Sequence, residues 1–160
     1  RRGWSTRPPP RGGGRHAGSR LRRVQPTAEA QPMKLLLDTC AFLWIVADAP
    51  DLSPRARDLF QAADNEVYLS AASAWEIAVK HGLGRLPLPD SPDRFVREMR
   101  AAHGIDSLPI DEESALHVSR LPAIHRDPFD RMLVSQAIVH GLTILTPDAL
   151  VTQYPGRTTW

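Results

Sequence analysis

The sequence is poor in cysteine and in long apolar segments, and both shortages limit what the protein can be. Cys40 is the one cysteine among 160 residues. An intramolecular disulfide and a cysteine-cluster zinc site are therefore excluded, and a reducing cytoplasm is the expected compartment. Nowhere do about 20 apolar residues follow one another, and residues 1–32 lack the apolar segment of a signal peptide. We therefore expect a soluble cytoplasmic protein without membrane contact.

Several well-known catalytic motifs are also missing. No His-Glu-x-x-His zinc motif, Gly-x-Ser-x-Gly turn, phosphate-binding loop or dinucleotide fingerprint occurs, which argues against zinc proteases, serine hydrolases and nucleotide-binding enzymes. An aspartyl-phosphate enzyme would want a second acid two residues after Asp38, where Cys40 stands. Five histidines show no zinc-ligand spacing and are expected to be solvated or capping residues. They are His81, His103, His117, His125 and His140.

Charge is distributed unevenly along the chain. Residues 1–32 hold eight arginines and one glutamate, a net charge of +7, whereas the whole chain carries +2 and residues 33–160 therefore carry −5. Five prolines and five glycines accompany the arginines. This composition cannot bury enough apolar surface to fold, so residues 1–32 are predicted to be a disordered tail. Such a tail could hold RNA by charge, but we favour a non-native extension upstream of Met33.

The remaining residues, 33–160, have the length of one domain and alternate between strand and helix patterns. Short apolar runs at 33–37, 67–70 and 143–146 are typical of strands buried on both faces of a parallel sheet. A weaker run at 107–110 contains Pro109, which favours an edge strand. Helical patterns begin at Ser53, Ser73 and Asp111, a further one includes Phe95, Met99 and Ala102, and the last runs from Asp127 to Gly141. We predict an α/β sandwich around a mostly parallel sheet of four to five strands.

Four acidic residues stand at comparable places in this pattern. They are Asp38, Glu76, Asp130 and Asp148. Each has a structural explanation by itself, since Asp and Glu commonly cap helices or occupy their first turn, as Glu76 would three residues after Ser73. Together they would meet at the carboxyl ends of the strands, where α/β folds bind ligands. Carboxylates that converge are costly unless a cation neutralises them, so the joint pattern predicts a site for a hard divalent cation.

These residues lie in segments that resemble the successive motifs of PIN-domain ribonucleases, and in particular VapC-type toxins of type II toxin–antitoxin systems. The segments are Leu-Leu-Leu-Asp-Thr (35–39), Ser-Ala-Trp-Glu-Ile (73–77), His-Arg-Asp-Pro-Phe-Asp-Arg-Met-Leu (125–133) and Leu-Thr-Ile-Leu-Thr-Pro-Asp (142–148). The resemblance implies a PIN-like three-layer sandwich over residues 33–160. It also implies a Mg²⁺- or Mn²⁺-dependent endoribonuclease that forms a homodimer and is blocked by a cognate antitoxin.

The resemblance also implies roles for individual residues. Asp38 and Asp130 would bind the metal directly, while Glu76 and Asp148 would complete the catalytic acidic cluster through metal-bound waters. Thr146 and Ser70 would not contact the metal themselves but would orient the residues that bind it. Asp127 is interpreted as the N-cap residue ahead of Pro128.

Basic and aromatic residues near these motifs are candidates for contacts with partners. Lys80, Arg126 and Arg131 are expected to contact RNA phosphates, although a salt bridge or a solvated position is the more common role for any one of them. Trp44 and Trp75 could stack on bases, but packing in the core or against a partner is favoured. The apolar segment around Phe42, Leu43 and Trp44 is the predicted antitoxin contact.

Two other classes of protein fit the same pattern of acids. One is a non-catalytic interaction module in which the acids are structural, and the other is a structure-specific DNA nuclease with similar carboxylate geometry. Metal-dependent cleavage of RNA but not of DNA would separate the ribonuclease from both.

Overall fold

The computed structural model describes residues 31–160, so the predicted tail lies almost entirely outside the described residues. Five strands form one sheet, β1 Lys34–Leu37, β2 Glu66–Ser70, β3 Asp106–Leu108, β4 Thr143–Leu145 and β5 Arg157–Thr159. Six α-helices accompany them, α1 Thr39–Val46, α2 Pro54–Gln61, α3 Ala71–Gly82, α4 Pro92–His103, α5 Glu112–His117 and α6 Pro128–His140. Short 3₁₀ helices occupy Val118–Arg120 and Val151–Gln153.

The sheet is parallel throughout, with the strand order β3-β2-β1-β4-β5. The predicted α/β class and parallel sheet are thereby confirmed. β3 lies at an edge and ends before Pro109, as expected for a segment whose proline cannot donate to a neighbouring strand. The other edge strand, β5, was not among the predicted runs because its three residues, Arg157–Thr159, contain no apolar side chain.

Alternate residues of the strands point into two separate cores. Leu35 and Leu37 of β1 pack on one side of the sheet, in a cluster that includes residues of α1, α2, α3 and α4. Leu36 faces the other side, in a cluster with Ile144 and with Leu133, among other residues of α6. All three β1 leucines are fully buried. Helices on both faces of the sheet therefore produce the three layers that the sequence predicted.

Local capping explains where most helices begin. Asp38, Ser53, Asp111 and Asp127 are N-caps whose side chains accept a backbone N–H from the first turn. The last three match the predicted starts. Gly141 ends α6 with φ 65°, a left-handed conformation that suits glycine.

The predicted start of α3 is wrong. Ser70, not Ser73, is its N-cap and accepts the Ala72 N–H at 2.9 Å. Ser73 lies buried inside the helix. Glu76 consequently lies in the second turn of α3 and is not a capping-box acid, so its position needs another explanation.

The apolar segment predicted to contact an antitoxin is divided by the fold. Phe42 is fully buried and packs edge-on against Phe95, with ring centroids 6.4 Å apart. Leu43 and Trp44 are half-buried, and Trp44 packs against Trp160 at 5.5 Å. Phe42 is therefore a core residue, while packing is the observed role of Trp44.

Among the described helices, none has the length and apolar character needed to cross a bilayer.

The position of Phe42 leads to a stability prediction. Phe42→Ala should lower the free energy of unfolding by about 3–5 kcal/mol, because it removes a fully buried ring and leaves a cavity. Leu83→Ala is the control, since Leu83 is 60% exposed and its change should stay within about 0.5 kcal/mol. Urea unfolding measures both. Equal effects of the two variants would contradict the core position of Phe42.

Candidate metal centre

The site forms where the strand order reverses. From β1 the chain builds the sheet in one direction through β2 and β3, and later in the other direction through β4 and β5. Asp38 follows β1 directly, and its N–H donates to the carbonyl of Leu145 at the end of β4 at 3.2 Å. Loops after β1 and β4 therefore diverge from a shared edge, and the crevice between them is the usual ligand position in open parallel sheets.

Asp38 is buried and held at both carboxylate oxygens. Its Oδ1 accepts the Ala41 N–H at 2.6 Å, and its Oδ2 accepts the Thr146 hydroxyl at 2.5 Å. Burial raises the pKa of Asp38 to about 6, although these two hydrogen bonds favour the charged form. The Thr146 hydroxyl thus helps to fix the rotamer of this carboxylate.

Glu76 is buried in the second turn of α3 with a partner at each oxygen. The Thr39 hydroxyl donates to Oε2 and the Lys80 ammonium to Oε1. Thr39 belongs to α1 and Lys80 lies one turn further along α3, so Glu76 connects the two helices. Lys80, which the sequence suggested for RNA contact, forms an ion pair within the site. Its charge partly offsets the surrounding acids.

Asp130 shows most clearly that the acids are gathered. It lies in the first turn of α6. The pKa of Asp130 is raised to about 8, first by burial and then by neighbouring carboxylates. Those carboxylates belong to Asp127, Glu76, Asp148 and Asp38. All four predicted acids therefore share one electrostatic environment.

His125 joins this group, which the sequence did not predict. Its Nε2 is 3.4 Å from Asp130 Oδ2 and 3.9 Å from Asp148 Oδ2. One ligand-type atom from each of these three residues falls within a 4.8 Å span. The prediction that His125 is solvated or capping is therefore incomplete, because the ring also lies beside two of the acids. Its position five residues before Asp130, ahead of the Asp-Pro turn, was the available signal.

The imidazole of His125 has a defined orientation. The Asp127 N–H donates to its Nδ1 at 2.9 Å, so the neutral ring carries its proton on Nε2. Nε2 lies at ion-pair distances from the carboxylates of Asp130 and Asp148. A ring that ligates a metal through Nε2 would instead need its proton on Nδ1, where it would face another donor. The observed tautomer therefore disfavours His125 as a metal ligand.

Two residues proposed for the site have different contacts. Ser70 donates its hydroxyl to Gln136 Oε1 at 2.5 Å and caps α3, so it joins α3 to α6 and does not contact the carboxylates. The Arg131 guanidinium donates to the carbonyls of Val118 at 3.0 Å and Pro122 at 2.9 Å. Arg131 thus holds the segment before α6, and phosphate contact is not its observed role. Arg126 is exposed.

Trp75 lies at the surface. The indole is 59% exposed and forms a T-shaped contact with the ring of Phe129, with centroids 4.9 Å apart. Of the two packing roles favoured from the sequence, the core is therefore excluded, whereas packing against a partner stays a prediction.

The donor set suits a hard divalent cation. Carboxylates from four separate parts of the fold converge, and two of these acids have raised pKa values. Divalent magnesium and manganese prefer such oxygen ligands. A cation bound among them would favour their charged forms. It would offset both the hydration lost on burial and the repulsion between neighbouring carboxylates.

Comparison with known proteins places the chain in a family. The PIN domain family profile matches residues 35–155, and the chain belongs to the PIN-domain family. The resemblance predicted from the motifs is thereby confirmed.

Particular relatives point in the same direction. Ribonuclease VapC16 of Mycobacterium tuberculosis is 36% identical over 69 residues, a match that covers 43% of this chain and about half, 49%, of the relative's length. VapBC2 from Rickettsia felis, solved with a promoter DNA fragment, has a TM-score of 0.61 at 14% identity. The matched region covers 79% of this chain and 98% of the Rickettsia chain. DNA-bound VapBC from Salmonella typhimurium has a TM-score of 0.58 at 20% identity, covering 79% and 97%. The two structures show a shared fold.

The raised pKa of Asp130 leads to a pH prediction. The native state holds this proton more tightly than the unfolded chain, whose Asp pKa is near 4. Between about pH 4 and pH 8 in EDTA, Asp130 should therefore cost the wild type increasing stability as the pH rises. Asp130→Asn should remove that cost, so the variant's advantage should grow to about 2–4 kcal/mol at pH 8.

Urea unfolding at several pH values measures the difference. Asp64→Asn, at an exposed turn, is the matched control and should track the wild type. Added Mg²⁺ or Mn²⁺ should stabilise the wild type more than Asp130→Asn, because the ion binds the charged carboxylate. A pH-independent difference between Asp130→Asn and the wild type would contradict the electrostatic coupling.

Proposed function

We propose that this protein is a metal-dependent endoribonuclease that acts as the toxin of a toxin–antitoxin pair. The observation that carries the proposal is the convergence of Asp38, Glu76, Asp130 and Asp148 at the strand-order reversal, with the pKa of Asp130 raised to about 8. Gathering the buried Asp38 and Glu76 beside the partly exposed Asp130 and Asp148 costs stability that the Lys80 ammonium offsets only in part, so the arrangement is better explained by chemistry than by structure. This reasoning disfavours the non-catalytic interaction module.

The relatives support the choice of substrate and partner. The curated relative is named as a ribonuclease, and the structural neighbours are complexes whose names pair VapC with VapB or FitA with FitB. We therefore propose single-stranded RNA as the substrate and an antitoxin protein as the partner. Leu43 and Trp44, half-buried on α1, remain the proposed antitoxin contact. The homodimer and the cytoplasmic location stay predictions.

Each residue of the site has a proposed task. Asp38 and Asp130 hold the divalent ion, Mg²⁺ or Mn²⁺, and Glu76 and Asp148 complete its surroundings. Thr146 keeps Asp38 in its binding rotamer, while Thr39 and Lys80 do the same for Glu76. His125 lies beside Asp130 and Asp148 and would offset part of their negative charge when its ring is protonated. When bound, the ion supplies the positive charge that acidifies a water molecule and stabilises the charge developing on the phosphate.

Cleavage of a defined RNA tests this function. Purified protein with Mg²⁺ or Mn²⁺ should cut single-stranded RNA, and EDTA should abolish cleavage without loss of secondary structure by circular dichroism. Asp38→Asn should reduce the rate at least about 100-fold, since it removes a charge that holds the ion. Cleavage of DNA of the same sequence would indicate the DNA nuclease, and wild-type rates in Asp38→Asn would refute the assigned site.

The proposed role of Thr146 allows a finer test. Thr146→Val keeps the side-chain shape but removes the hydroxyl that bonds Asp38, so metal affinity or activity should fall about 10- to 100-fold. Thr152→Val is the matched control, because its exposed hydroxyl contacts the Ala149 carbonyl. Isothermal titration with Mn²⁺ gives the affinity separately from the rate. Unchanged Mn²⁺ affinity and rate in Thr146→Val would contradict the orienting role.

A further inference from the structure

A pocket lies next to the acidic cluster and is not used by the chemistry described so far. It is open, encloses about 360 Å³ and is lined mainly by apolar side chains. Trp75 of α3 and Phe129 of α6 contribute its aromatic surface, Ile110 and Met132 contribute aliphatic surface, and Arg126 lies among the lining residues. Its volume is at the lower end for small-molecule sites.

The pocket and the acidic cluster are built from neighbouring residues on the same elements. Trp75 precedes Glu76 on α3, and Phe129 precedes Asp130 on α6. Successive helix residues point about 100° apart, so each helix directs an aromatic ring to the pocket and the next side chain to the acids. A ligand in the pocket would therefore lie beside whatever the acidic cluster binds.

The surface of the pocket combines an aromatic face with a cation. Trp75 is 59% exposed, and its ring meets that of Phe129 in a T-shaped contact with centroids 4.9 Å apart. Arg126 is exposed and forms no hydrogen bond or ion pair with residues 31–160. The Arg131 guanidinium, by contrast, is held by backbone carbonyls. An exposed indole beside an available guanidinium suits a flat base attached to a phosphate.

We propose that this pocket binds one unpaired nucleobase of the RNA substrate, stacked on Trp75, while Arg126 contacts the adjoining phosphate. The inference rests on the proposed ribonuclease function and deepens it. It assigns Trp75 to substrate positioning, because stacking one base beside the acidic cluster determines which phosphate reaches the metal ligands. It also explains how a domain with a net charge of −5 over residues 33–160 can hold a polyanion through stacking with little help from charge.

Stacking can be separated from charge with abasic RNA. In a cleavage-deficient Asp38→Asn background, fluorescence anisotropy would measure binding of a labelled ten-nucleotide single-stranded RNA and of a series with one abasic nucleotide at each position. Trp75→Ala should weaken binding of intact RNA roughly 5- to 100-fold, the range expected for one stacked base. Trp75→Phe should retain most of the affinity. Leu83→Ala, the control on an equally exposed apolar side chain of the same region, should leave affinity unchanged.

The abasic series identifies the stacked position. An abasic nucleotide at one position should weaken binding to the protein that keeps Trp75 as much as Trp75→Ala weakens binding of intact RNA. Combining that abasic RNA with Trp75→Ala should weaken binding little further. If Trp75→Ala weakens binding of intact RNA and of every abasic RNA by the same factor, the inference is overturned. So would a change in oligomeric mass of Trp75→Ala by sedimentation, which would make the pocket an interface between copies.

Failure of this inference differs from failure of the proposed function. If wild-type protein cuts RNA with a divalent ion while Trp75→Ala binds and cuts like Leu83→Ala, the pocket is not a base site and the ribonuclease remains. If wild-type protein neither binds nor cuts RNA with Mg²⁺ or Mn²⁺, both the inference and the proposed function are wrong.

Discussion

Repulsion among buried carboxylates is the constraint on which the site depends. Asp38 and Asp130 lose hydration and lie near further acids, and the pKa values of about 6 and about 8 record the free energy stored there. Thr39, Thr146 and Lys80 each donate a hydrogen bond to one of the acids, which reduces the cost without removing it. A bound divalent cation would neutralise the remaining negative charge. Metal binding and local stability therefore depend on the same arrangement of charges.

The core provides the rigidity that such an arrangement needs. β1 is covered on both faces, with three fully buried leucines immediately before Asp38. Any shift of Asp38 would therefore disturb both cores as well as the hydrogen bond from its N–H to Leu145. Glu76 and Asp130 are fixed by α3 and α6, which meet at the Trp75–Phe129 contact, with α3 contributing to both cores and α6 to one of them. Tight packing thus keeps the carboxylates close together, whereas hydration alone would favour their separation.

The cations near the site serve different purposes, which charge counting could not reveal. Lys80 is bound to Glu76, and Arg131 is bound to the carbonyls that precede α6. Both stabilise the protein's own acids or backbone, whereas Arg126 is exposed beside Trp75. The surface next to the acidic cluster consequently combines the Trp75 indole with the exposed guanidinium of Arg126. A polyanionic substrate would meet an acidic domain there with the least repulsion.

Local patterns in the sequence were sufficient to predict the strands before Asp38 and Asp148, the caps at Ser53, Asp111 and Asp127 and the α/β class, because periodicity and capping depend on near neighbours. The cap at Ser73 and the partner-facing position of Phe42 were wrong. Of the two packing roles favoured for Trp75, the core is excluded, and the place of His125 was missed. Whether a helix face is buried depends on which remote segments cover it. Only tertiary packing decided that Phe95 covers Phe42, that Trp75 stays largely exposed, and that His125 meets Asp130.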